Sequence, residues 1–398
     1  MYKHLERIVI NGVRVLLPSF TGFLVSFIII RFYSKDIWGQ IAVVLLYANL
    51  IIHIVSWGFS DYLIRKFSTD PGSMRDKWVE ILNNKFLLFI PFAVFIGIYF
   101  KNQTTAILIC SYVLLKIISG SYDPIIIHTK KYFLSILSEL VYISTVILTI
   151  CSFPKEEINE TKLLLSLSIG ELCRTSLLIL VCKKNVFPAI TFKIIFLNYK
   201  SAFSFFLLRF TGLTQSRIDQ IFVNHYMNNA EKAFYQVLAT LLLFSLSIPD
   251  IIVTPYLKNL YRSKIEVIRK ITNRILLISI ITIPLSIFST EFILVKFYKF
   301  EFNNDLLLPC TLILFPSYYL VTKFYLLFRI NKTNWVVLLS FIGTVINATA
   351  CAMFVPAYGL YGALWSTAIS QWGTFLVYLL LFNTKVTVSL SPKQGPEL

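Results

Sequence analysis

Apolar runs of about 20 residues recur along the whole chain, and short polar connections separate them. An α-helix needs a run of about this length to cross the hydrocarbon core of a bilayer, whereas a β-barrel would show apolar and polar residues alternating with a period of two. The pattern therefore predicts an all-α, polytopic membrane protein with about twelve transmembrane helices. The predicted spans are about 13–31, 39–60, 84–100, 104–122, 132–153, 162–182, 202–226, 232–257, 268–289, 305–328, 334–355 and 359–382.

The composition agrees with a chain that lies in the membrane over most of its length. Hydrophobic residues make up 57% of the sequence and charged residues 14%, and the mean hydropathy is +0.73. In a soluble domain, charged residues make up about a quarter. The spans leave room for no sizeable soluble domain. The start of the chain is basic and then apolar and lacks a small-residue cleavage site, so we expect it to be a retained first span.

The charged residues sort by side when twelve spans are drawn with both termini on one side. Of the 37 lysines and arginines, 23 lie on the side of the termini with six of the 20 acids, while the outer loops hold eight of each and the spans six of each. Lys85, at the start of the third span, is counted with the first group. Because basic loops stay inside, both termini are predicted to be cytoplasmic.

This distribution also accounts for the net charge of +17. A nucleic-acid partner would need a basic face on a folded module, and we expect none. The six cysteines form no CxxC pair and the four histidines no HxxxH pair, so we expect no metal site, no disulfide framework and no cofactor.

Charged side chains inside the spans need partners or water, because one at the bilayer centre costs about 2.5–3.5 kcal/mol on insertion scales. Glu171 and Arg174 are three residues apart in the sixth span, so they share a helix face and can pair. For Lys116 and Glu139 the alternatives are snorkelling, a buried pair or a role in transport. Other charged side chains lie near the predicted cytoplasmic ends of their spans and can snorkel. They are Arg14, Asp61, Asp123, Asp250 and Lys323.

The seventh span concentrates polar residues on one face. On a wheel that advances about 100° per residue, they cover about half of the circumference. Such a helix lines either a core of paired charges or a water-filled cavity, and we favour the cavity. Arg217 and Asp219 point about 160° apart on this wheel, so they do not pair within the helix. The polar face consists of Arg209, Gly212, Gln215, Ser216, Arg217, Asp219, Gln220 and Asn224.

Three stretches together resemble one transporter family. They are "RFYSKDIWGQIAVV" with the following "WGFSDYLIR"; "RIDQIFVNHYMNNAEKAFYQVLATLL"; and "NATACAMFVPAYGLYGALWSTAIS". In their order and spacing they resemble the O-antigen flippases, the Wzx-like polysaccharide exporters of the multidrug/oligosaccharidyl-lipid/polysaccharide (MOP) superfamily. One departure is Ala233-Phe234-Tyr235, where members often have a glycine before the tyrosine; it affects only a turn.

The resemblance implies two six-helix lobes, 1–200 and 201–398, that rock around a central cavity for alternating access. It implies a substrate of undecaprenyl diphosphate carrying an oligosaccharide, the O-antigen repeat unit of lipopolysaccharide. The substrate would move from the cytoplasmic to the periplasmic leaflet of the bacterial inner membrane. Membrane lipids, and a polysaccharide polymerase with chain-length machinery, are the expected partners. The third stretch has a physical reading too, because Gly359 and Gly362 allow close helix contact after Pro356.

Moving the head group requires cations for the diphosphate and polar groups for the sugars. Arginine suits phosphate because its planar fork donates two hydrogen bonds. We therefore assign Arg217 and Arg209 as diphosphate contacts, with Lys116 and Lys323 as further candidates. Asp219 is the candidate for coupling to a proton or sodium gradient; its alternative role is to neutralise a nearby arginine. The candidates that face sugar are Gln215, Gln220, Asn224 and Tyr226.

Other functions predict other features. A multidrug exporter, or an exporter of another lipid-linked precursor such as lipid II, would share the architecture, but a cavity for cationic drugs would be acidic or aromatic. A polysaccharide polymerase would carry a large outer loop. A membrane glycosyltransferase would carry a DxD-like metal site on a soluble domain. Neither feature is present in the sequence, so we expect a transporter and not an enzyme.

Overall fold

The computed structural model describes residues 2–100, 102–182, 196–253, 265–329 and 332–382, and these form helices with short connections and no strands. The helices are α1 Tyr2–Phe32, α2 Lys35–Ser56, α3 Phe59–Thr69, α4 Met74–Tyr99, α5 Gln103–Gly120, α6 Asp123–Thr129, α7 Tyr132–Ser152, α8 Glu160–Cys182, α9 Phe196–Tyr226, α10 Asn229–Val253, α11 Ile265–Phe292, α12 Leu307–Arg329 and α13 Thr333–Phe382.

Ten helical stretches among the described residues are long and apolar enough to cross a membrane. The last of them, Asn334–Phe382, is long enough for two crossings, and Gly359 interrupts it with φ 58° and ψ −134°. Helix α9 has 31 residues, but its polar face keeps it outside this apolar group. With α9 and the interruption counted, about twelve spans result. The predicted fold class, an all-α multi-pass membrane protein, is confirmed.

Two short helices, α3 and α6, were not predicted from the sequence. Residues 61–83 were expected to be a long connection, but the structure folds them into most of α3 and the first turns of α4. Phe59, Leu63 and Phe67 recur every four residues and are at most 1% exposed. This spacing is the signal of an amphipathic helix that packs against protein.

The described chain forms two compact units. Unit 1 comprises Met1–Phe210, Asn228–Thr240 and Phe297–Lys299, and unit 2 comprises Thr211–Met227, Leu241–Lys296 and Phe300–Leu398. The division into lobes at residue 200 stays a prediction. Within unit 1, α8 packs against both α5 and α7, and α1 packs against α7. Within unit 2, α12 packs between α11 and α13.

Two short segments from the second half of the sequence belong to unit 1 because they bind α1 and α2. The indole Nε1 of Trp38 donates a hydrogen bond to Gln236 Oε1 at 2.8 Å. A Cβ atom at Gly39 would overlap the carbonyl oxygen of Asn229, so α2 and α10 meet backbone to backbone. The Tyr298 hydroxyl lies 2.7 Å from Ser26 Oγ.

One end of unit 1 has a folded layer that consists of α3 and α6. Phe59, Leu63 and Phe67 of α3 pack in one apolar cluster with Trp78 of α4 and Tyr122, which precedes α6. The Trp78 indole donates to the carbonyl of Ser121 at 2.6 Å. The two short helices therefore cover the ends of the spans and are part of the core of unit 1.

Candidate functional site

The polar face of α9 divides between the two units. Residues from Thr211 onward belong to unit 2, where Asp219 is 5% exposed. One oxygen of its carboxylate accepts a hydrogen bond from the backbone N–H of Gln220 at 2.8 Å. The other accepts one from Thr367 Oγ1 of α13 at 3.2 Å. Asp219 is thus a buried carboxylate held by donors from two helices.

Next to it, α9 and α13 meet through polar groups. Asn347 Nδ2 donates to the carbonyl of Gln215 at 3.3 Å, and Cys351 Sγ donates to Asn347 Oδ1 at 3.4 Å. Gln215 Nε2 donates to Thr374 Oγ1 at 3.4 Å. Gly343 makes this approach possible, because a Cβ atom there would lie 2.5 Å from that same hydroxyl oxygen. Gln215 therefore also helps to join the two helices.

Arg217 is half-buried, and its Nη1 donates to Gln220 Oε1 on the same helix at 2.9 Å. Within the described part of the chain, no carboxylate forms an ion pair with Arg217. No described ion pair joins Arg217 and Asp219, as their spacing predicted. Gln220 is 4% exposed, and among the described residues its Nε2 has no hydrogen-bond partner. A cation and an amide donor thus lie together, and no described ion pair includes the cation.

The remaining polar candidates of α9 lie at its C-terminal end. Asn224 is half-buried, and Tyr226 is 49% exposed with its ring 4.8 Å from that of His225. Their contact with sugar stays a prediction, as it does for Gln215 and Gln220.

Arg209, the other arginine of the polar face, belongs to unit 1 and has a carboxylate partner. Its Nε and Nη2 donate to the two oxygens of Asp61 at 2.5 and 2.8 Å. Asp61, which was expected to snorkel, is therefore paired through a two-point contact between α3 and α9. The two residues are 148 positions apart in the sequence, so local spacing gave no indication of this pair.

The Asp61–Arg209 pair is expected to contribute about 1 kcal/mol, the upper end for partly exposed pairs, because its contact is bidentate. The two side chains are 33% and 49% exposed. A double-mutant cycle with Asp61→Ala and Arg209→Ala, followed by chemical unfolding in mixed micelles, measures the coupling energy. The matched cycle pairs Arg209→Ala with Asp76→Ala, an exposed acid on α4, and should show additive effects. Equal coupling in both cycles would contradict a specific pair.

Lys116 lies in a buried network of four charges in unit 1. Lys116 Nζ is 2.5 Å from Glu171 Oε1, Arg174 Nη1 is 3.4 Å from the same oxygen, and Arg174 Nη1 is 2.9 Å from Glu139 Oε2. Ser119 Oγ donates to Glu171 Oε2 at 3.1 Å. The predicted Glu171–Arg174 pair is confirmed, and of the alternatives for Lys116 and Glu139 the structure shows buried pairing.

Two other lysines differ in their surroundings. Lys323 Nζ lies over the Tyr319 ring, 5.1 Å from its centroid. Lys85, which the sequence reading counted with the cytoplasmic cations, is 2% exposed inside α4, and its amine donates to Ser121 Oγ at 2.9 Å. The burial of Lys85 could not be predicted from its own span, because it depends on Ser121 and the segment before α6, which is 36 residues away in the sequence.

The structure shows which groups could hold an ion. The carboxylate of Asp219, the hydroxyl of Thr367 and the amide oxygen of Asn347 are oxygen ligands of the kind that small cations prefer. Within the described residues, no group of three or more histidine, cysteine or acidic side chains could hold a metal ion.

No protein-family model and no curated protein sequence matches this chain. Solved structures do match. The lipid II flippase MurJ, in an inward closed conformation, has a TM-score of 0.75 and 15% identity over 96% of this chain and 88% of that one. An inward-facing multidrug resistance transporter of the MATE family has a TM-score of 0.71 and 10% identity over 96% and 98%. An outward-facing MATE structure has a TM-score of 0.63, with 11% identity over 96% and 95%.

At these identities the similarity shows the fold. It extends over nearly the whole of each chain, so it covers the helix order in both halves and not one shared motif. The chain has the fold of the MOP-superfamily transporters.

Proposed function

We propose that this protein is a flippase for a lipid-linked oligosaccharide. The substrate is an O-antigen-type repeat unit on undecaprenyl diphosphate, and it moves by alternating access from the cytoplasmic to the periplasmic leaflet of a bacterial inner membrane. The observation that carries the proposal is Arg217: a half-buried arginine within a span that forms no ion pair with any described residue.

An arginine within a span is costly, about 2.5–3.5 kcal/mol on insertion scales, so its presence indicates a function. Transfer of a diphosphate and several sugars through hydrocarbon is unfavourable without partners. The guanidinium offers a fork of donors that matches phosphate oxygens. Gln220 accepts a hydrogen bond from Arg217 at its Oε1, while its buried Nε2 has no described partner and adds a donor for the head group. Gln215, Asn224 and Tyr226 are the other proposed sugar contacts.

The three other proposed diphosphate contacts are not equivalent. Lys323, like Arg217, forms no ion pair with a described residue, and the Tyr319 ring lies against its amine. Arg209 and Lys116 already bind carboxylates. To contact a diphosphate, each of them must exchange its carboxylate for phosphate. Arg217 and Lys323 therefore carry more of the proposal.

Asp219 is the proposed site of coupling to a proton or sodium gradient. It is buried, and its two oxygens accept hydrogen bonds from α9 and from α13. A carboxylate in such a place can gain or lose a cation while the protein changes conformation. The polymerase and chain-length machinery remain proposed partners on the periplasmic side.

A multidrug exporter is the second candidate, because the MATE transporters share this fold. Cationic drugs would favour a carboxylate that faces the substrate. The polar face of α9 instead presents an arginine and amides beside its one acid, and that acid already accepts two hydrogen bonds. An anionic head group fits this arrangement better than a cationic drug does.

Complementation tests the proposal in a strain that lacks this protein and retains its own sugar pathway. Arg217→Ala is expected to lower long-chain surface polysaccharide by about tenfold or more, the loss of a charge-assisted, bidentate contact. Arg217→Lys should retain part of the activity. The matched control is Arg274→Ala, an exposed arginine of α11 in the same unit. Normal polysaccharide from Arg217→Ala at wild-type abundance would refute the assignment.

A further inference from the structure

The end of unit 1 that carries α3 and α6 is strongly basic. Six cations lie on α3, directly after α6, and at the starts of α4 and α9: Arg65, Lys66, Arg75, Lys130, Lys131 and Lys200. Five are exposed and Lys66 is half-buried. Within the described part of the chain none of the six forms an ion pair. We call this surface the basic end.

The acids near these cations do not neutralise them. Glu80 is occupied by Lys77 at 2.7 Å and by Asn198 at 2.5 Å. Asp61 is occupied by Arg209. Asp70 and Asp76 are exposed acids of the same segments, so cations outnumber the acids that remain. The surface therefore has a net positive charge.

The basic end is a rigid surface and not a set of loose loops. Arg65 and Lys66 lie on α3, whose opposite face is buried through Phe59, Leu63 and Phe67. Rings of Phe67 and His128 contact each other at 5.8 Å, and Lys130 and Lys131 follow directly after α6. Packing of α3 against α6 thus holds the two cation pairs on one surface.

Exposed apolar residues mark where this surface meets the hydrocarbon. Phe133, two residues after Lys131, is 69% exposed, and Phe203, three residues after Lys200, is 46% exposed. Phenylalanine rings are stable at such exposure in contact with lipid tails. Half-buried Tyr132 lies between Lys131 and Phe133 in the sequence, and tyrosine is enriched at the membrane interface. The cations therefore lie at the level of the lipid head groups.

We propose that the basic end binds anionic phospholipid head groups, as a surface distinct from the transported substrate. Charge complementarity and position support this partner: unpaired cations lie directly beside lipid-exposed rings. Clusters of four to eight lysines and arginines next to spans are attracted to anionic lipids. The orientation of the spans already accounts for basic residues in cytoplasmic loops. It does not require that some of these cations lie on α3, a helix that is packed into the core of unit 1.

Native mass spectrometry of the full-length protein tests this proposal. The protein is equilibrated with equal amounts of phosphatidylglycerol and phosphatidylcholine that have the same acyl chains, so that head-group charge is the variable. The wild type is expected to retain a several-fold excess of phosphatidylglycerol, and this excess should decrease at higher ionic strength because salt screens exposed charges. The test variant carries Arg65→Gln, Lys66→Gln, Lys130→Asn and Lys131→Gln.

The test variant should bind the two lipids nearly equally. Lys130 has φ 58°, and asparagine tolerates that conformation. The matched control removes four exposed cations from other parts of the chain by Arg31→Gln, Lys155→Gln, Lys296→Gln and Lys299→Asn. The control should keep the excess.

Equal binding by the wild type, or an excess that survives in the test variant, would overturn the proposal. Unfolding midpoints show whether each variant is folded. If the fourfold variant is not folded, the double variant Lys130→Asn/Lys131→Gln, which leaves α3 unchanged, replaces it. This double variant should reduce the excess of bound phosphatidylglycerol. Arg217→Ala should keep the excess, so failure of the proposed transport function leaves this result unaffected.

Discussion

Glu171→Gln should lower the free energy of unfolding by about 3 kcal/mol, the lower end for breaking a buried ion pair. Glu171 is fully buried and, among the described ion pairs, is the acid that pairs with both cations of the network, at 2.5 Å to Lys116 and 3.4 Å to Arg174. Arg174 keeps Glu139 after the change, but Lys116 loses its carboxylate. Because 28% of the Lys116 side chain is exposed, protein does not enclose its charge fully, and we expect the lower end of the range. Chemical unfolding in mixed micelles measures the effect.

The matched control for this prediction is Glu157→Gln. Glu157 pairs with Lys162 on the surface of the same unit, and its side chain is 59% exposed. Such pairs contribute about 0–1 kcal/mol. The double variant Lys116→Gln/Glu171→Gln should be more stable than Glu171→Gln alone, because it leaves no unpaired cation. If Glu171→Gln and Glu157→Gln lowered the free energy of unfolding equally, burial would not strengthen the contribution of the network, and the prediction would be wrong.

Gly362→Ala is expected to have the next largest effect on stability. The interruption of α13 brings the start of its second half against the end of its first half. A Cβ atom at residue 362 would overlap the carbonyl oxygen of Phe354 and lie 2.5 Å from the carbonyl carbon. Because backbone must move to make room, we expect a loss of about 1–3 kcal/mol, the usual cost of overpacking. The unfolding midpoint and the abundance in membranes should both fall.

Gly359→Ala should destabilise for a different reason. The neighbours of Gly359 leave room for a methyl group, since a Cβ atom there would lie 3.5 Å from Met227 Sδ. Its backbone angles, φ 58° and ψ −134°, suit glycine alone. The control for both changes is Gly97→Ala, since nothing lies within 4 Å of a Cβ at that position. Helix propensity makes Gly97→Ala neutral or stabilising. If Gly362→Ala behaves like Gly97→Ala, the two halves of α13 do not meet as described.

Local spacing predicted several contacts correctly. Glu171 and Arg174 are three residues apart and do pair. The spacing of Arg217 and Asp219 excluded a pair, and the structure shows none among its described ion pairs. These predictions succeed because residues on one helix have distances set by helix geometry. The interruption in the predicted hinge also lies within its motif, at Gly359.

Partners from other helices were not predictable in this way. Asp61 and Arg209 are 148 residues apart, as are Asp219 and Thr367. From the sequence, Asp61 was a residue that could snorkel, and Lys85 was counted with the cytoplasmic cations. The structure pairs the first and buries the second. Both outcomes depend on which helix lies opposite, and no local pattern contains that information.

The sequence by itself therefore determined the membrane class, the approximate number of spans, the polar face of α9 and the contacts within single helices. Apolar length and helix periodicity are local properties, and the bilayer makes them decisive because each span must satisfy its own backbone. Only the tertiary structure decided which charges are neutralised. It paired Arg209 and Lys116 with carboxylates and left Arg217 without one among the described residues, because packing between helices selects the partner of each buried charge.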